Sequence, residues 1–175
     1  MNTRAAFLVL GAFIFSPSLS ADSSVKLRTV AGGYLLVPVT LNGAGPFEFL
    51  LDTGTTITLI EPALARRLAL PLGEGESIGS ITSAGVARRA RVQTLTIGSK
   101  TVVDAEVLVT DLGDVGRLGG RVQGVLGNDV LGRDNFLLSY AKERLEFDWD
   151  GNLATHLTGT HVPLREKHGR RMVEA

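Results

Sequence analysis

Apolar and polar residues alternate along most of the chain in short runs, a pattern typical of β-strands. The runs 34–41 and 46–51 flank Asn42-Gly43, a dipeptide that favours a tight hairpin turn. Gly98-Ser99 separates a second pair of runs in the same way. Short strands at close spacing predict an all-β barrel or sandwich. The other predicted strands are 57–60, 89–97, 101–109, 122–126, 136–140 and 144–147.

Two short segments carry helix signals instead. Residues 62–70 are amphipathic, with Pro62 at a favourable first helical position and Pro71 as a stop. Asn128 is predicted to cap a second short helix over residues 129–133. The predicted fold class is therefore all-β with one or two short helices.

The first twenty residues have the layout of a secretory signal peptide. A single charge, Arg4, precedes an apolar run that is too short to span a bilayer comfortably, and small residues stand before Ala21. We expect cleavage there and an exported protein, periplasmic or secreted. The predicted organisation is a signal peptide at 1–20, a flexible lead-in at 21–33, one domain at 34–149 and a polar tail at 150–175.

Composition excludes several classes of function. The chain holds 18 basic and 18 acidic residues, and this balance argues against nucleic acid as a partner. It has no cysteine, which excludes disulfides, a thiol nucleophile and thiolate metal sites. His156, His161 and His168 lack the spacing of a helical metal pair. We predict no metal and no other cofactor.

Asp52 is the residue that carries most information about function. It follows the apolar run 47–51 and enters Thr53-Gly54, and an acid at the end of a buried strand is costly unless it is bonded or used. An isolated Asp-Thr-Gly is most often a turn in which the carboxylate bonds its own backbone. Here the apolar run 57–60 holds the loop from the other side.

In these motifs the chain resembles the retropepsin-like aspartic proteases, single-lobe relatives of pepsin. The similar segments are 51–55, Leu-Asp-Thr-Gly-Thr, and 125–131, an apolar strand that ends in Gly127 before a short helix. The closing hairpin, 136–147, is similar to exported bacterial members, which points to a Gram-negative periplasm. The resemblance covers residues 34–147 and implies a single-lobe acid-protease barrel.

The resemblance also implies an activity and roles for the neighbours of Asp52. The family hydrolyses polypeptides with two facing aspartates, and this chain has one Asp-Thr-Gly, so the second would come from a homodimer partner. Thr53 would bond across the dimer axis, Gly54 would permit close backbone approach, and Gly127 would support the loop. Thr55 would donate to Asp52 and favour its charged form, so we expect a mildly acidic optimum.

The stretch 76–85 lies where the family carries its flap, the hairpin that closes over substrate. Ile78, Gly79 and Ile81 are the candidate flap residues. Because this stretch matches the family pattern only loosely, an ordinary surface loop is an equal interpretation.

Two other interpretations stay open from the sequence. One is an exported binding module that keeps the acid-protease fold without turnover, which the irregular flap and the residues after Phe147 would suit. The other is a membrane-tethered protein with an uncut N-terminal run. With the signal removed, no second long apolar run is available to form a membrane span.

Overall fold

A computed structural model describes residues 24–79, 84–147, 164–167 and 170–173, with side chains for 24–75 and 86–147. Within these ranges the chain is built from strands and two short helices, as the alternating pattern predicts. The helices are α1 (Pro62–Arg67) and α2 (Asn128–Leu131). The strands are β1 (Ser24–Lys26), β2 (Arg28–Val30), β3 (Tyr34–Leu41), β4 (Ala44–Leu51), β5 (Leu59–Ile60), β6 (Gly75–Gly79), β7 (Ala84–Ile97), β8 (Lys100–Val109), β9 (Gly124–Leu126), β10 (Phe136–Ser139), β11 (Arg144–Phe147), β12 (Leu164–Lys167) and β13 (Arg170–Val173).

The main sheet closes on itself. Its strand order is β2-β3-β4-β9-β5-β8-β7-β6, and β3 pairs additionally with β7 through Thr40 and Leu41. Because β3 and β7 pair with each other, the strands from β3 to β7 in this order close into a barrel. Closure pairs strand edges that would otherwise be open. The predicted all-β barrel with two short helices is thereby confirmed for the part of the chain that the structure describes.

The short strand β9 lies between two strands of opposite direction. It runs parallel to β4, with Leu51 beside Leu126, and antiparallel to β5. The connection from β4 to β5, residues 52–58, therefore passes the end of β9. This crossing brings residue 52 beside Gly127, although 75 positions separate them in the sequence.

The main core fills the barrel interior. In β7 and β8 most buried residues alternate with more exposed ones, as expected for strands with one buried face, whereas β3 and β4 also bury Leu36 and Leu50 on their opposite face. Phe49, Leu41, Ile60, Leu95, Ile97 and Leu126 are among its fully buried side chains. A smaller apolar cluster lies apart from this core and joins Leu36, Leu50, Leu112, Val122 and Val125.

The predicted flexible lead-in is wrong for the residues that the structure describes. β1 pairs with β11, and β2 pairs with β3. Val25 and Leu27 are 4 % and 2 % exposed, and both belong to the main core. The physical reason is the alternation of Val25 and Leu27 with Lys26 and Arg28, which lets a mostly polar segment bury one face.

Three further details differ from the sequence predictions. α1 ends at Arg67 rather than residue 70, and Leu68 and Ala69 continue as a turn. Gly127, not Asn128, is the N-cap of α2, and it offers no side-chain cap. Within the predicted polar tail, β12 and β13 pair as a hairpin. The predicted signal peptide and the three histidines, His156, His161 and His168, lie outside the described residues.

Candidate active site

Asp52 stands where β4 and β9 end together. Its backbone N–H donates to the carbonyl oxygen of Leu126 at 3.1 Å and extends the parallel ladder by one step beyond Leu51. The side chain is half-buried. A carboxylate held at this position is fixed by two strands and still reaches solvent.

Each oxygen of the Asp52 carboxylate accepts a hydrogen bond from its own loop. The backbone N–H of Gly54 donates to Oδ1 at 2.8 Å, and the Thr55 hydroxyl donates to Oδ2 at 2.6 Å. The first bond is the turn that any Asp-Thr-Gly can form. The second ties the outer oxygen to a further side chain, and together the two bonds fix the orientation of the carboxylate.

The other two members of the motif lie at the surface of the loop. Thr53 is exposed and Gly54 is exposed. A Cβ on Gly54 would lie 3.2 Å from Oδ1 of Asp52, which is tight for a carbon beside an acceptor. The absent side chain therefore leaves the face of the carboxylate open, as expected where a backbone approaches a reacting group.

A second set of bonds supports the loop from behind. The buried Thr58 hydroxyl donates to Oδ1 of Asp129 at 2.8 Å and accepts the N–H of Gly127 at 3.1 Å. The N–H of Asn128 donates to the carbonyl oxygen of Thr55 at 2.7 Å. These bonds join the start of α2 to the loop that holds Asp52.

Gly127 occupies a position that admits no side chain. A Cβ there would lie 2.8 Å from the carbonyl carbon of Ile57 and 2.9 Å from Oδ1 of Asp129. Because Ile57 presents backbone at this point, relief by a rotamer change is not available. The crossing of residues 52–58 over the end of β9 therefore depends on this glycine.

Sequence reasoning missed the roles of Thr58 and Asp129. The sequence suggests only that Asp129 meets the dipole of the helix start. In the structure, desolvation by burial raises the pKa of Asp129 above its ordinary value, against the lowering effect of the Thr58 hydrogen bond. The hydrogen bond between Thr58 and Asp129 joins residues 71 positions apart in the sequence, so no local pattern indicates it.

The candidate flap is placed on a hairpin. β6 and β7 pair antiparallel, with Ile78 opposite Gly85 and Gly79 opposite Ala84. Ile81 lies outside the described residues. A hairpin at this place is compatible with a flap, and its closure over Asp52 stays a prediction.

The described part of the chain contains no group of three or more His, Asp or Glu side chains that could hold a metal ion. None of its helices has the length and apolar character needed to cross a membrane.

Comparisons with known proteins agree on one family. A family model described as aspartyl protease matches residues 37–130, more than half of the chain. A retropepsin-like aspartic protease from Rickettsia conorii has a similar crystal structure, with 18 % sequence identity and a TM-score of 0.55. That similarity covers 71 % of this chain and 89 % of the other, and at this identity it shows the fold alone.

A second similar structure is the EIAV protease complexed with the inhibitor HBY-793. Its sequence is 22 % identical, the match covers 57 % of this chain and 84 % of the other, and the TM-score is 0.41. A search of curated protein sequences returned no match.

Proposed function

Because the chain belongs to the aspartyl protease family, we propose that it hydrolyses peptide bonds with water activated between two Asp52 carboxylates. One carboxylate comes from each subunit of a homodimer. The observation that carries the proposal is the geometry of Asp52, a half-buried carboxylate with one donor on each oxygen and an open face. Such a group is oriented for proton transfer before any substrate arrives.

The chemistry follows from the approach of two like charges. Two carboxylates that share a site cannot both ionise, so the pair holds one proton. The ionised member takes a proton from the bound water while the protonated member donates to the carbonyl oxygen of the scissile bond. Water oxygen attacks the carbonyl carbon, and the tetrahedral intermediate then collapses as the amine leaves with a proton. No covalent acyl-enzyme forms.

The homodimer is part of the proposal because one chain supplies one such aspartate. The sequence holds a single Asp-Thr-Gly. Asp129, the acid nearest in the hydrogen-bond network, is bonded to Thr58 behind the loop and does not share the open face of Asp52. The exposed Thr53 is available for contact with a second loop across a two-fold axis.

Peptide cleavage by the purified chain, scanned from about pH 3 to 8, tests this mechanism. We expect a mildly acidic optimum, inhibition by pepstatin-type compounds and complete loss of cleavage in Asp52→Asn. Asp104→Asn is the control, since that carboxylate pairs with Arg91 on the outer face of β7 and β8. A flat rate across the range, or cleavage that survives Asp52→Asn, would refute the proposal. A folded dimer without any cleavage would favour a binding module.

We also propose that the chain acts after export, with residues 1–20 removed as a signal peptide. The support is the short apolar run after Arg4 and the small residues before Ala21. Fractionation of cells that express the full chain, followed by intact-mass measurement, tests this. A mass that includes residues 1–20 would contradict cleavage and favour a tethered protein.

A further inference from the structure

A buried hydroxyl and a half-buried carboxyl lie behind the loop that holds Asp52. Thr58 is 0 % exposed, so its hydroxyl must find its partners within the protein. It accepts the N–H of Gly127 at 3.1 Å and donates to Oδ1 of Asp129 at 2.8 Å. Because a hydroxyl has a single proton to donate, the acceptor of that proton fixes its orientation. Asp129 therefore decides where the Thr58 hydroxyl points and how it receives the N–H of Gly127.

Two short paths connect this cluster with Asp52. The first runs through the backbone, since Gly127 follows Leu126, whose carbonyl oxygen accepts the N–H of Asp52 at 3.1 Å. The second begins at Asn128, whose N–H donates to the carbonyl oxygen of Thr55 at 2.7 Å. The Thr55 hydroxyl in turn donates to Oδ2 of Asp52 at 2.6 Å. A displacement at the start of α2 would therefore reach both the backbone and the outer oxygen of Asp52.

The surroundings of the Asp129 carboxyl suit an uncharged acid better than a carboxylate. A Cβ on Gly127 would lie 2.9 Å from Oδ1, so the glycine backbone packs against this oxygen and leaves no room for a water molecule between them. A charge placed there would be poorly hydrated. In accord with this packing, desolvation by burial raises the pKa of Asp129, and hydrogen bonds from Thr58 and from the backbone of Val130 oppose the rise only in part.

The charged side chains that follow Asp129 in the sequence bond to other groups. Arg133 is exposed, and its Nε donates to the backbone carbonyl oxygen of Asp129 at 2.8 Å. Asp134 pairs with Lys100 of β8. On the loop that packs against α2, Asp52 has the same sign of charge as an ionised Asp129, and two like charges oppose each other's ionisation. These neighbours therefore give an ionised Asp129 little compensation for its burial.

We propose that Asp129 is a positioning residue for Asp52, and that it performs this role as the uncharged acid. The inference rests on the proposed function of Asp52. In the uncharged form the Asp129 carboxyl accepts the Thr58 proton, and the cluster stays closed and dry. When Asp129 loses its proton, the carboxylate draws water toward Thr58 and Gly127, and the loop that holds Asp52 shifts with them.

The proposal gives the pH profile a second source besides the pair of Asp52 carboxylates. Because the folded protein favours the uncharged form of Asp129, its orienting effect is present at low pH and is lost as pH rises through the folded-state pKa. The loss should appear in kcat rather than in KM, since orientation of the reacting carboxylate matters most in the transition state.

Substitutions of Asp129 separate its charge from its hydrogen bond. Asp129→Asn keeps an oxygen for Thr58 and cannot ionise, so the ratio of kcat at about pH 7 to kcat at about pH 5 should rise about threefold or more. Asp129→Leu offers no acceptor, so kcat should fall about tenfold at every pH while KM changes by less than about twofold. Asp114→Asn is the control, since its carboxyl is 98 % exposed, and it should leave the profile unchanged.

A double-variant cycle tests the path through Thr58, and it also covers the case that Asp129→Leu does not fold. Thr58→Val has nearly the same shape and no hydroxyl, so Asp129 can no longer act through it. In the Thr58→Val background, Asp129→Asn should leave the ratio of kcat at the two pH values unchanged. A full effect of Asp129→Asn in that background would contradict the positioning role.

Amide signals in NMR spectra give a readout that needs no cleavage. The N–H of Gly127 donates to Thr58, and the N–H of Gly54 donates to Asp52, so the two amides report on the two ends of the path. Both signals should shift as Asp129 ionises in the parent chain and in Asp52→Asn. Both of these shifts should vanish in Asp129→Asn, whereas Asp114→Asn should keep them.

The outcomes distinguish this role of Asp129 from the proposed function. Equal pH profiles of kcat in the parent chain and Asp129→Asn, or a Gly54 signal that does not respond to Asp129, would overturn the positioning role while the protease activity stands. Absence of cleavage from the parent chain would overturn the proposed function. The Gly54 and Gly127 signals alone would then decide whether Asp129 positions Asp52.

Discussion

At the scale of single residues, the hydroxyl of Thr55 is the most direct test of how Asp52 is held. Thr55→Val removes the donor to Oδ2 and keeps the shape of the side chain. A hydrogen bond to a charged group contributes about 1.5–3 kcal/mol, so kcat should fall about tenfold to a hundredfold. Steady-state kinetics on one peptide measure this. Thr55→Ser keeps the hydroxyl and should retain most activity, and equal losses in both variants would contradict the assigned role.

Because of Asp129, the free energy of unfolding should decrease as pH rises. Burial raises the pKa of its carboxyl in the folded state. The protonated form is thus favoured by folding: its stabilising effect is complete below the unfolded-state pKa and is lost as pH rises through the folded-state pKa. Asp129→Asn keeps an oxygen for Thr58 without a buried charge, so it should be more stable than the parent chain at pH 7.

Thermal unfolding at neutral and acidic pH measures this effect of Asp129. The advantage of Asp129→Asn should shrink as pH falls through the folded-state pKa of Asp129, because the parent carboxyl is then neutral as well. Asp114→Asn is the control, since that carboxyl is 98 % exposed. If Asp129→Asn were less stable than the parent chain at neutral pH, an ionised Asp129 would be stabilising and the argument from burial would fail.

The same residues show which contacts of the site can be predicted from the sequence alone. Asp52, Gly54 and Thr55 are adjacent in the chain, and the bonds among them follow from local geometry, so a short motif can predict them. Thr58 and Asp129 meet only because β9 enters between β4 and β5. That contact depends on a strand order that no periodicity reveals.

At the scale of elements, the N-terminal strands should contribute to the stability of the barrel. Leu27 is 2 % exposed within the main core, and its backbone N–H donates to the carbonyl oxygen of Glu143 at 2.8 Å. Leu27→Ala should cost about 2–4 kcal/mol in the free energy of unfolding, because it leaves a cavity between packed strands. Chemical denaturation measures the change.

A control for Leu27 lies in the next strand. Thr29 is exposed, and its contact with Glu143 is made by the backbone, so Thr29→Ala should change stability by less than about 0.5 kcal/mol. Equal effects of the two substitutions would mean that residues 24–30 are not packed as described.

Apolar runs bounded by turn signals predict their strands well, and short, mostly polar segments predict theirs poorly. Tyr34–Leu41 was predicted with its observed bounds, and the β10–β11 hairpin to within one residue. The mostly polar segment Ala21–Thr29 predicts a lead-in where the structure has β1 and β2, although Val25 and Leu27 have the period of a strand. The burial of those two residues comes from pairing with β11, which is more than 100 positions away.

At the scale of the whole molecule, two separate clusters of buried apolar side chains stabilise the barrel. The main core fills the interior and keeps its residues buried permanently. A second, smaller cluster joins residues of β3, β4 and β9 to the connection between β8 and β9, where Leu112 and Val122 are buried. Because β4 and β9 supply residues to both clusters and end beside Asp52, the position of the carboxylate depends on packing across the whole barrel.

The proposed homodimer concerns the whole molecule, and mixing parent and variant chains tests it without any structural probe. If one active site needs Asp52 from both subunits, a dimer that contains one Asp52→Asn subunit is inactive. An equal mixture of parent and variant chains, exchanged to equilibrium, then retains about a quarter of the activity of the parent alone at the same total concentration, because only dimers of two parent subunits contribute. A chain that works alone would retain about half.

Dilution gives an independent measurement, since specific activity should fall as dimers dissociate, and sedimentation at the same concentrations should show the loss of dimer. Activity that stays at half in the mixture and constant on dilution would show that Asp52 acts within one chain, and a second acid would then have to be sought elsewhere in the sequence.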